Sequence, residues 1–482
     1  MLLAALALGA ASAAERDWAA ALRADATAFH ADVEANHPGM VNRRDPRFAR
    51  RNDAAFALAM RRAGLVRDFA SYRWAMRGYV AAFDDGHVAF SVDRAPDVAL
   101  RWPGFLTGYG AAGQHVVVSR ADDSPVPLGA ALIGCDGRSA DAIAQARVGA
   151  FFGRWSLRAQ RIAEGGRLFI DAGNPFVASP RHCTFRADGV ARTVTLAWRA
   201  LPDAEWSRRM AATGARTVVP AGARTLADGT RWYSMNSFDG DPAGPAAKVL
   251  EPMIAGMAAD RARLATARAV VLDVRGNGGG SSDWSRRIAR VLWGDAALAR
   301  ADAASARTHV EWRVSPAVIA AMDAYRVQFA GDARILAYFS GIAAGLRAAA
   351  VAGKPLWREP DALGEAVGAA PASVARGAAA PALRGPVYVV TDATCASACL
   401  DAVDLWLAAG AVQVGQETNA DTDYLDVRRD PLPSGIGAAV LPMKVYRDRQ
   451  RGSNVPLAPA LRYRFAGDIA DTPALERWIA TL

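Results

Sequence analysis

A chain of 482 residues, 52% of them hydrophobic, is too long for one compact domain and apolar enough to bury a large core, so we expect two or three domains and no extensive disorder. The formal net charge of +9 comes almost wholly from arginine, because Lys248, Lys354 and Lys444 are the only lysines. No run of basic residues interleaved with aromatic residues indicates a nucleic-acid surface. The composition therefore argues against nucleic acid as a partner.

Residues 1–14 predict a signal peptide. An apolar run is followed by the small residues Ala11, Ser12 and Ala13, and charge begins at Glu15, as at the cleavage site of an exported protein. The usual positive residues at the start are missing, so a short apolar tail is the alternative. No later stretch has the ~20 uninterrupted apolar residues of a spanning helix. We expect an exported protein, periplasmic or extracellular.

The sequence contains four cysteines, Cys135, Cys183, Cys395 and Cys399. In an oxidising compartment this even number allows one or two disulfides, and the sequence leaves the pairing open. Neither a C-x-x-C nor an H-E-x-x-H motif is present. We therefore expect no metal site and no cofactor.

Residues 15–95 predict an N-terminal helical domain, since apolar residues recur at helical spacing. The pattern ends at the sequence Asp85-Gly86-His87, and a short strand follows. Residues 96–201 predict a β-rich module with strands at His115–Ser119, Ala131–Cys135 and Arg192–Trp198. Within it, residues 127–137 resemble the segment of a PDZ domain in which a strand ends in an Asp-Gly turn before a helix, here Ala140–Val148.

Residues 202–482 predict the last domain, in which strands and helices alternate from Thr230 onward, as is typical of a parallel sheet covered by helices. The predicted strands are Trp232–Phe238, Ala269–Val274 and Val387–Thr391, and the predicted helices are Ala246–Leu264, Ser281–Trp293 and Ser397–Ala409. An Ala-rich, mostly helical insertion occupies about 300–383. Both a lid over a site and a surface addition without a chemical role fit it.

Two segments follow buried strands and open helices, where an α/β sheet presents its carboxyl edge to a ligand. The first, residues 273–280, reads DVRGNGGG, and its glycines allow a sharp turn with free N–H groups that suits an oxyanion hole. A tight connection without a catalytic role is the alternative. A dinucleotide motif is excluded because Ser281 occupies the position of its third glycine.

The second segment, residues 391–399, contains Ser397 at the start of a helix. There the N–H of Ala398 would face a tetrahedral oxyanion. A serine in this position is by itself more often an ordinary N-cap.

Together the two segments resemble those of peptidase family S41, the tail-specific or C-terminal-processing proteases. The glycine motif of that family reads Asp-x-Arg-Gly-Asn-Gly-Gly-Gly, and its nucleophilic serine lies at the head of a helix. The resemblance implies an α/β fold with a crotonase-like core, preceded by a helical domain and a PDZ-like module. It also implies that Ser397 is the nucleophile and that the oxyanion donors are the N–H of Ala398 and that of Gly278 or Gly279.

The general base is where the sequence departs from one branch of the family. The Ser-Lys branch places a lysine about 25 residues after the serine, and residues 419–423 contain none. The tricorn-like branch takes a histidine at the end of the helical domain, and His87 stands there, although a plain turn histidine is the alternative. We expect His87 as the base because a histidine titrates in the right range. Lys444 is the reserve candidate, with a sheet-edge lysine as its alternative.

The residue that orients the base is less clearly indicated. The tricorn-like pattern expects a glutamate in the stretch 451–456, which here holds no acid. Asn454 is the candidate because a neutral amide orients an imidazole in Cys-His-Asn enzymes. Asp423 is an alternative, and both residues also fit an ordinary loop.

The sequence thus predicts an exported serine endopeptidase that acts on polypeptides through an acyl-enzyme. One alternative is a catalytically inactive S41-fold protein that binds peptides or other ligands. A crotonase-type enzyme acting on acyl-CoA is disfavoured by the signal peptide, so no CoA is expected. The oligomeric state is left open.

Overall fold

The computed structural model describes residues 16–93, 95–110, 112–214, 217, 219–368, 382–463 and 468–482. The predicted signal peptide, residues 1–14, lies outside them. The α-helices are α1 (Trp18–Asn36), α2 (Phe48–Arg62), α3 (Phe69–Ala81), α4 (Ala140–Ala144), α5 (Ala150–Phe152), α6 (Arg158–Gly165), α7 (Asp203–Ala211), α8 (Pro245–Ala259), α9 (Arg261–Thr266), α10 (Asp283–Ala304), α11 (Pro316–Gln328), α12 (Ala333–Val351), α13 (Asp361–Gly368), α14 (Ala398–Ala408) and α15 (Thr472–Ile479).

The strands are β1 (Ala89–Ser91), β2 (Arg101–Trp102), β3 (Phe105–Tyr109), β4 (His115–Arg120), β5 (Ala131–Cys135), β6 (Arg138–Ser139), β7 (His182–Ala187), β8 (Val190–Thr195), β9 (Arg199–Ala200), β10 (Gly222–Thr225), β11 (Arg231–Ser234), β12 (Val270–Asp273), β13 (His309–Arg313), β14 (Leu356–Arg358), β15 (Val387–Thr391), β16 (Val412–Gly415), β17 (Tyr424–Pro431), β18 (Ala438–Arg447) and β19 (Leu461–Arg462). Short 3₁₀ turns are Pro38–Val41, Ala63–Leu65, Gly166–Phe169 and Asp468–Ala470, and Gln145–Gly149 is a π-helical turn.

Helices α1, α2 and α3 form an N-terminal bundle around buried aromatic side chains that include Phe29, Phe48 and Tyr79. Helix α3 begins at a capping box, in which Asp68 accepts from the N–H of Ser71. The bundle does not close its core alone, because residues of β17 and β18 pack into the same cluster. The end of α3 is therefore held against strands that come from the far end of the chain.

The β-rich module is an antiparallel sheet in the order β3-β4-β5-β7-β8, with β6 beside β5. A disulfide joins Cys135 of β5 to Cys183 of β7. Alternate residues of β4 are buried, as expected where one face of a sheet covers a core. Strand β5 agrees with its predicted bounds, and the predicted helix Ala140–Val148 becomes α4 followed by the π-helical turn.

The second sheet has the order β10-β11-β12-β15-β16-β19 and is parallel except for the β10–β11 pair. Strands β12 and β15 are buried along their whole length, as the apolar runs in the sequence predict. Helices α8, α10 and α14 contribute to the core on one face, and α15 covers the other. Because β12 and β15 are parallel neighbours, the two segments that follow them meet at one edge of the sheet.

The predicted insertion contributes strands as well as helices. Strands β13 and β14 extend a sheet in which β18 pairs with β1, β13 and β17. Lys444 of β18 lies between Trp312 of β13 and Leu425 of β17. The sheet-edge interpretation of Lys444 is therefore wrong, because strands pair on both sides of it.

One helix in the described part of the chain, α12, is long and apolar enough to cross a membrane by length and composition alone. One such helix is weak evidence, since core helices of soluble proteins pass the same test. Its residues Ile342, Ala343 and Leu346 pack against Trp312 and α11 in a small core of their own.

Candidate active site

The glycine turn after β12 is held by buried polar contacts. The guanidinium of Arg275 is fully buried and bonds both carboxylate oxygens of Asp273, at 2.8 and 2.7 Å. The side-chain amide of Asn277 donates to the carbonyl of Met235 at 2.9 Å, and its oxygen accepts from the N–H of Gly279 at 2.9 Å. The Asp, Arg and Asn of the motif thus fix the shape of the turn.

The segment after β15 is tied to the same turn. The buried Asp392 accepts from the N–H of Gly276 at 3.1 Å and from that of Thr394 at 3.0 Å. Burial, the largest influence, raises the pKa of Asp392 even though these hydrogen bonds oppose it. One carboxyl group therefore connects the two predicted oxyanion segments.

Ser397 lies at the head of α14 in an unusual backbone conformation, with φ 55° and ψ −127°. A non-glycine residue in this region is strained and persists only where its surroundings hold it. Its side chain caps no N–H of the helix. The N-cap alternative is therefore not supported by a hydrogen bond, and the hydroxyl is available for other partners.

A disulfide between Cys395 and Cys399 spans the Ser397 turn. Both cysteines are fully buried in the core beneath α14, and the carbonyl of Cys395 accepts from the N–H of Asn419 at 3.0 Å. The covalent link closes a short loop with Ser397 at its centre. It joins the residues two positions before and two positions after the strained Ser397.

The glycine turn lies directly against Ser397. A Cβ atom on Gly279 would lie 2.7 Å from the Cβ of Ser397 and 3.0 Å from the nitrogen of Ala398, and Gly279 has a φ of +105°. Only glycine fits this close approach and this backbone conformation. In the described part of the chain no acceptor takes the N–H of Gly278 or of Ala398, whereas that of Gly279 is taken by Asn277.

His87 follows a turn in which Asp85 accepts from the backbone N–H of His87 at 2.7 Å. The Nδ1 atom of His87 lies 3.6 Å from an oxygen of Asp85, and the imidazole is 17% exposed. Burial lowers the pKa of His87, but the adjacent carboxylate of Asp85, helped by the charge of Asp421, outweighs it and leaves the pKa above its ordinary value of 6.5. Because Nδ1 faces Asp85, Nε2 is the nitrogen left for a substrate or nucleophile.

Asp85 is itself fixed and ionised. Its second oxygen accepts from the hydroxyl of Thr422 at 2.6 Å. Burial opposes its ionisation, but its contacts to His87 and Thr422 outweigh burial and lower the pKa of Asp85. A charged acceptor therefore stands beside the ring of His87.

Asp421 brings the two distant segments together. It accepts from the backbone N–H of Ser397 at 2.9 Å, and its charge acts on His87. Burial raises the pKa of Asp421, and the nearby His87 opposes this. Asp421 therefore contacts Ser397 directly and is close enough to His87 for its charge to act on the imidazole, although no hydrogen bond joins Ser397 and His87 in the described structure.

Asn454 lies in the same region but contacts the backbone of the turn. Its side-chain amide donates to the carbonyl of Asp84 at 2.8 Å, and its own N–H donates to the carbonyl of Asp421 at 2.7 Å. No described hydrogen bond joins it to the ring of His87. Asn454 therefore joins the loop of Asp421 to the turn that carries His87, and Asp85 is the residue beside the ring. The alternative Asp423, half-buried, lines a cavity that Asp85 and Asn454 also line.

The β-rich module reaches the site through Arg154. Its guanidinium donates to the side chain of Asn419 at 3.0 Å and to the carbonyl of Ala420 at 2.9 Å. Its backbone N–H donates to Asp84 at 2.6 Å, and its guanidinium packs on Gly86. The β-rich module therefore contacts both the turn 84–87, which carries His87, and the loop of Asn419 and Ala420.

Lys444 lies elsewhere and is unsuited to be a base. Its ammonium is buried, forms an ion pair with Asp426 at 2.8 Å, and lies 5.1 Å from the ring centre of Trp312. Burial opposes its charge, but Asp426 and the other surrounding groups outweigh this, so the pKa of Lys444 is raised well above its ordinary value. A lysine that holds its proton so firmly accepts none from a serine.

Comparison with solved structures shows that nearly the whole chain has a known fold. No protein-family model and no curated protein sequence matches the chain. The structure of mature CPAF matches with a TM-score of 0.62 at 14% sequence identity, covering 95% of this chain and 96% of that chain. CPAF complexed with lactacystin matches with a TM-score of 0.60 at 13% identity, covering 96% and 98%. The chain has the fold of CPAF.

The match to the CPAF fold spans the helical bundle, the β-rich module and both large sheets, because nearly all of each chain is covered. A serine-to-alanine mutant of CPAF matches with a TM-score of 0.58 at 14% identity, covering 95% and 96%. At this level of identity the CPAF fold does not transfer residue roles. Those roles have to be argued from the contacts described above.

Four residues of the site could not be assigned from the sequence, and only two of them, Asp85 and Asp421, had even a weak signal. Asp85 was visible beside His87, in a turn sequence that is common without function. Asp421 lies two residues before Asp423, the alternative orienting residue, in a stretch with no motif that distinguishes the two aspartates. Nothing in the sequence indicated Arg154 or Thr422, because their place depends on how the β-rich module and the loop after β16 fold back onto the turn of His87.

Proposed function

We propose that this protein is a serine endopeptidase of the S41 type, with Ser397 as nucleophile and His87 as general base. The observation that carries the proposal is that the glycine turn packs on the strained head of α14 at Ser397. Asp421 binds the N–H of Ser397 and is joined through Asn454 to the turn that carries His87. The fold of CPAF supports the same function. The substrate is a polypeptide.

In this proposal the parallel sheet with α8, α10 and α14 is the crotonase-like core, and the antiparallel sheet is the PDZ-like module. The domain bounds remain those predicted, 15–95, 96–201 and 202–482. The helical bundle and β17 and β18 share one core, so the first and last of these parts fold against each other. The contacts of Arg154 suit a module that adjusts the site when it binds peptide.

Acylation begins when the hydroxyl oxygen of Ser397 attacks the carbonyl carbon of the scissile bond. Nε2 of His87 accepts the hydroxyl proton, and the carboxylate of Asp85 beside Nδ1 stabilises the resulting imidazolium. The N–H groups of Ala398 and Gly278 stabilise the oxyanion. Ala398 follows Ser397 and Gly278 precedes the Gly279 that packs on Ser397, and no acceptor among the described residues takes either N–H. His87 then gives its proton to the leaving amine, and the C–N bond breaks.

Deacylation repeats these steps with water as nucleophile. His87 takes a proton from water, the hydroxide attacks the acyl carbon, and the same two N–H groups stabilise the second tetrahedral intermediate. Collapse returns the proton to Ser397 and releases the new carboxyl terminus. Gly279 supports the site by allowing the close approach and does not donate, because Asn277 holds its N–H.

In this scheme Asp85 has the orienting role that the sequence indicated for Asn454. Asn454 is a positioning residue, since it bonds the carbonyl of Asp84 in the turn that carries His87. An ionised carboxylate stabilises an imidazolium more strongly than a neutral amide does.

Export is part of the proposal. The four cysteines form two disulfides, Cys135–Cys183 and Cys395–Cys399. Disulfides persist in oxidising compartments and are rare in the cytosol. They agree with the signal peptide predicted for residues 1–14 and with a periplasmic or extracellular location.

A second candidate function is a catalytically inactive binding protein with the same fold. One observation favours it: Ser397 and His87 form no hydrogen bond in the described structure, and the carboxyl group of Asp421 occupies the N–H of Ser397. Catalytic hydrogen bonds are often long without substrate, so we rank this function second.

Proteolysis of casein by the wild type and by Ser397→Ala tests the choice between the two. The active enzyme is expected to lose at least ~10³-fold in rate on this change, as removal of a nucleophile generally causes. Thermal unfolding of both proteins shows whether the fold is kept. Equal rates in the two proteins, or no hydrolysis by the wild type, would reject the peptidase.

A further inference from the structure

A cavity of about 420 Å³ lies between helix α3 and the β-rich module. Its wall is formed by α3, by residues 95–100, and by the stretch 167–177. Neither Ser397 nor His87 lines it, so it is distinct from the candidate active site. Its size is within the usual range for small-molecule sites.

Two arginines of α3 face this cavity without a counterion. Arg73 and Arg77 are one helical turn apart and both line the cavity. Neither guanidinium forms a hydrogen bond or an ion pair with any residue that the structure describes. Burial, followed by the charges of neighbouring arginines, lowers the pKa of Arg73, and it lowers that of Arg77 to about 10. Both side chains are partly exposed, so their guanidinium donors can meet an anion that enters the cavity.

Two further arginines complete a positive wall. Arg167 forms an ion pair with Glu164 at 2.5 Å. Arg147 donates to the carbonyls of Leu168 at 3.0 Å and Ala178 at 2.8 Å, and it also bonds the carbonyl of Ile170 and the hydroxyl of Ser179. No carboxylate is among its hydrogen-bond partners.

The acidic groups on the wall do not balance the arginines. Of the described lining residues only Asp97 and Asp171 are acidic. Asp97 is exposed, and Asp171 accepts from the N–H of Gly173 at 3.1 Å. Even with Glu164, the partner of Arg167, four arginines stand against three carboxylates, so the wall keeps an excess of positive charge.

Aromatic rings lie beside the unpaired arginines. The guanidinium of Arg77 is 4.5 Å from the ring centre of Phe152 and 5.9 Å from that of Trp74, and Trp206 also lines the cavity. These rings hold the guanidinium in place and offer apolar surface. The cavity therefore combines anion recognition with space for an apolar group.

We propose that this cavity binds a small organic carboxylate with an aromatic or aliphatic body. The carboxylate pairs with Arg73 and Arg77, since guanidinium groups match carboxylate geometry. The body packs against Trp74 and Phe152. This binding is independent of the proposed peptidase activity.

Isothermal titration calorimetry with 3-phenylpropionate tests the proposal. The wild type is expected to bind it with a Kd on the order of 1 mM or tighter, as the size of the probe allows. The neutral 3-phenylpropanamide, which has the same shape, is expected to bind at least ~10-fold weaker because it lacks the charge. Inorganic phosphate, which lacks the body, is expected to bind more weakly than 3-phenylpropionate.

Variants locate the binding. Arg73→Gln/Arg77→Gln is expected to weaken 3-phenylpropionate at least ~10-fold, and Arg186→Gln, an exposed arginine on β7, is expected to leave it unchanged. If the double variant fails to fold, Arg73→Gln and Arg77→Met are measured singly, each with an expected weakening of about 3-fold or more.

Four results would overturn the proposal: no binding by the wild type up to about 10 mM probe, equal binding of the amide, phosphate binding as tight as the carboxylate, or equal weakening by Arg186→Gln.

Discussion

Removal of the Cys395–Cys399 disulfide is expected to slow catalysis more than removal of Cys135–Cys183, although it should destabilise the fold less. All four cysteines are buried, so replacing either pair by alanine makes a comparable change in the core. The two double variants differ in the size of the closed loop and in distance from Ser397. Each therefore serves as the control for the other.

The stability difference follows from the loops. The cysteines of the two pairs are separated by 4 and 48 residues. Restriction of the unfolded chain then gives about 2 kcal/mol for the short loop and about 4 kcal/mol for the long one. Urea unfolding is expected to show the larger loss of unfolding free energy in Cys135→Ala/Cys183→Ala.

The activity difference follows from the backbone of Ser397. A residue in its conformation costs roughly 1–3 kcal/mol and depends on its surroundings to keep it. If the disulfide supplies most of that restraint, its loss should lower kcat between roughly 5-fold and 150-fold, at 1.36 kcal/mol for each factor of ten. The other variant should stay within about 2-fold, since its disulfide lies in the β-rich module. Both rates are measured on one peptide substrate.

Equal kcat in wild type and Cys395→Ala/Cys399→Ala would refute this reasoning. It would mean that the hydrogen bonds of the Ser397 segment hold the conformation without the covalent link. A fall in kcat that is the same in both double variants would also refute it, because a general loss of stability would then be the cause.

Three further predictions concern the glycine turn, the base and the lysine. Gly279→Ala should reduce kcat by about 10²-fold or more, because the added Cβ would meet Ser397. Gly278→Ala should keep kcat within a few fold, because its Cβ enters open space and its N–H is retained. Similar losses of kcat in both variants would contradict this. The wild-type kcat/KM should rise with pH through a midpoint above 6.5, because neutral His87 is the active form and its pKa is raised. Asp85→Asn should move that midpoint to lower pH and lower kcat by ~10²-fold or more. A midpoint that does not move would remove Asp85 from the site. Lys444→Met should leave kcat within a few fold while lowering Tm, since its ion pair with Asp426 is lost; a loss as large as that of His87→Ala would transfer the base to the lysine.

Much of the core could be predicted from local patterns. The strand Val387–Thr391 agrees with its predicted bounds, and the helix predicted from Ser397 begins one residue later, because a buried parallel strand and an apolar helix have strong local signals. The predicted helix Ala246–Leu264 is divided between α8 and α9 near Asp260. Helix boundaries depend on tertiary contacts that periodicity does not contain.

The long-range contacts could not be predicted. Strands β13 and β14 were hidden in a stretch that reads as helical, because short strands depend on the partner that β18 provides. The disulfide pairing also depends on long-range contacts, so the sequence left it open. The role of Asp421 depends on them too, because its side chain matters only once the chain folds it against the N–H of Ser397.

Labelling by a fluorophosphonate probe tests the central claim most directly, because only an activated serine reacts with it. The wild-type protein is incubated with the probe, digested, and the modified residue is located by mass spectrometry. We predict a single adduct on Ser397, lost in Ser397→Ala and strongly slowed in His87→Ala, with both variants shown to be folded. A wild-type protein that takes up no label, or takes it up on another residue, would contradict the assignment of Ser397 as the nucleophile.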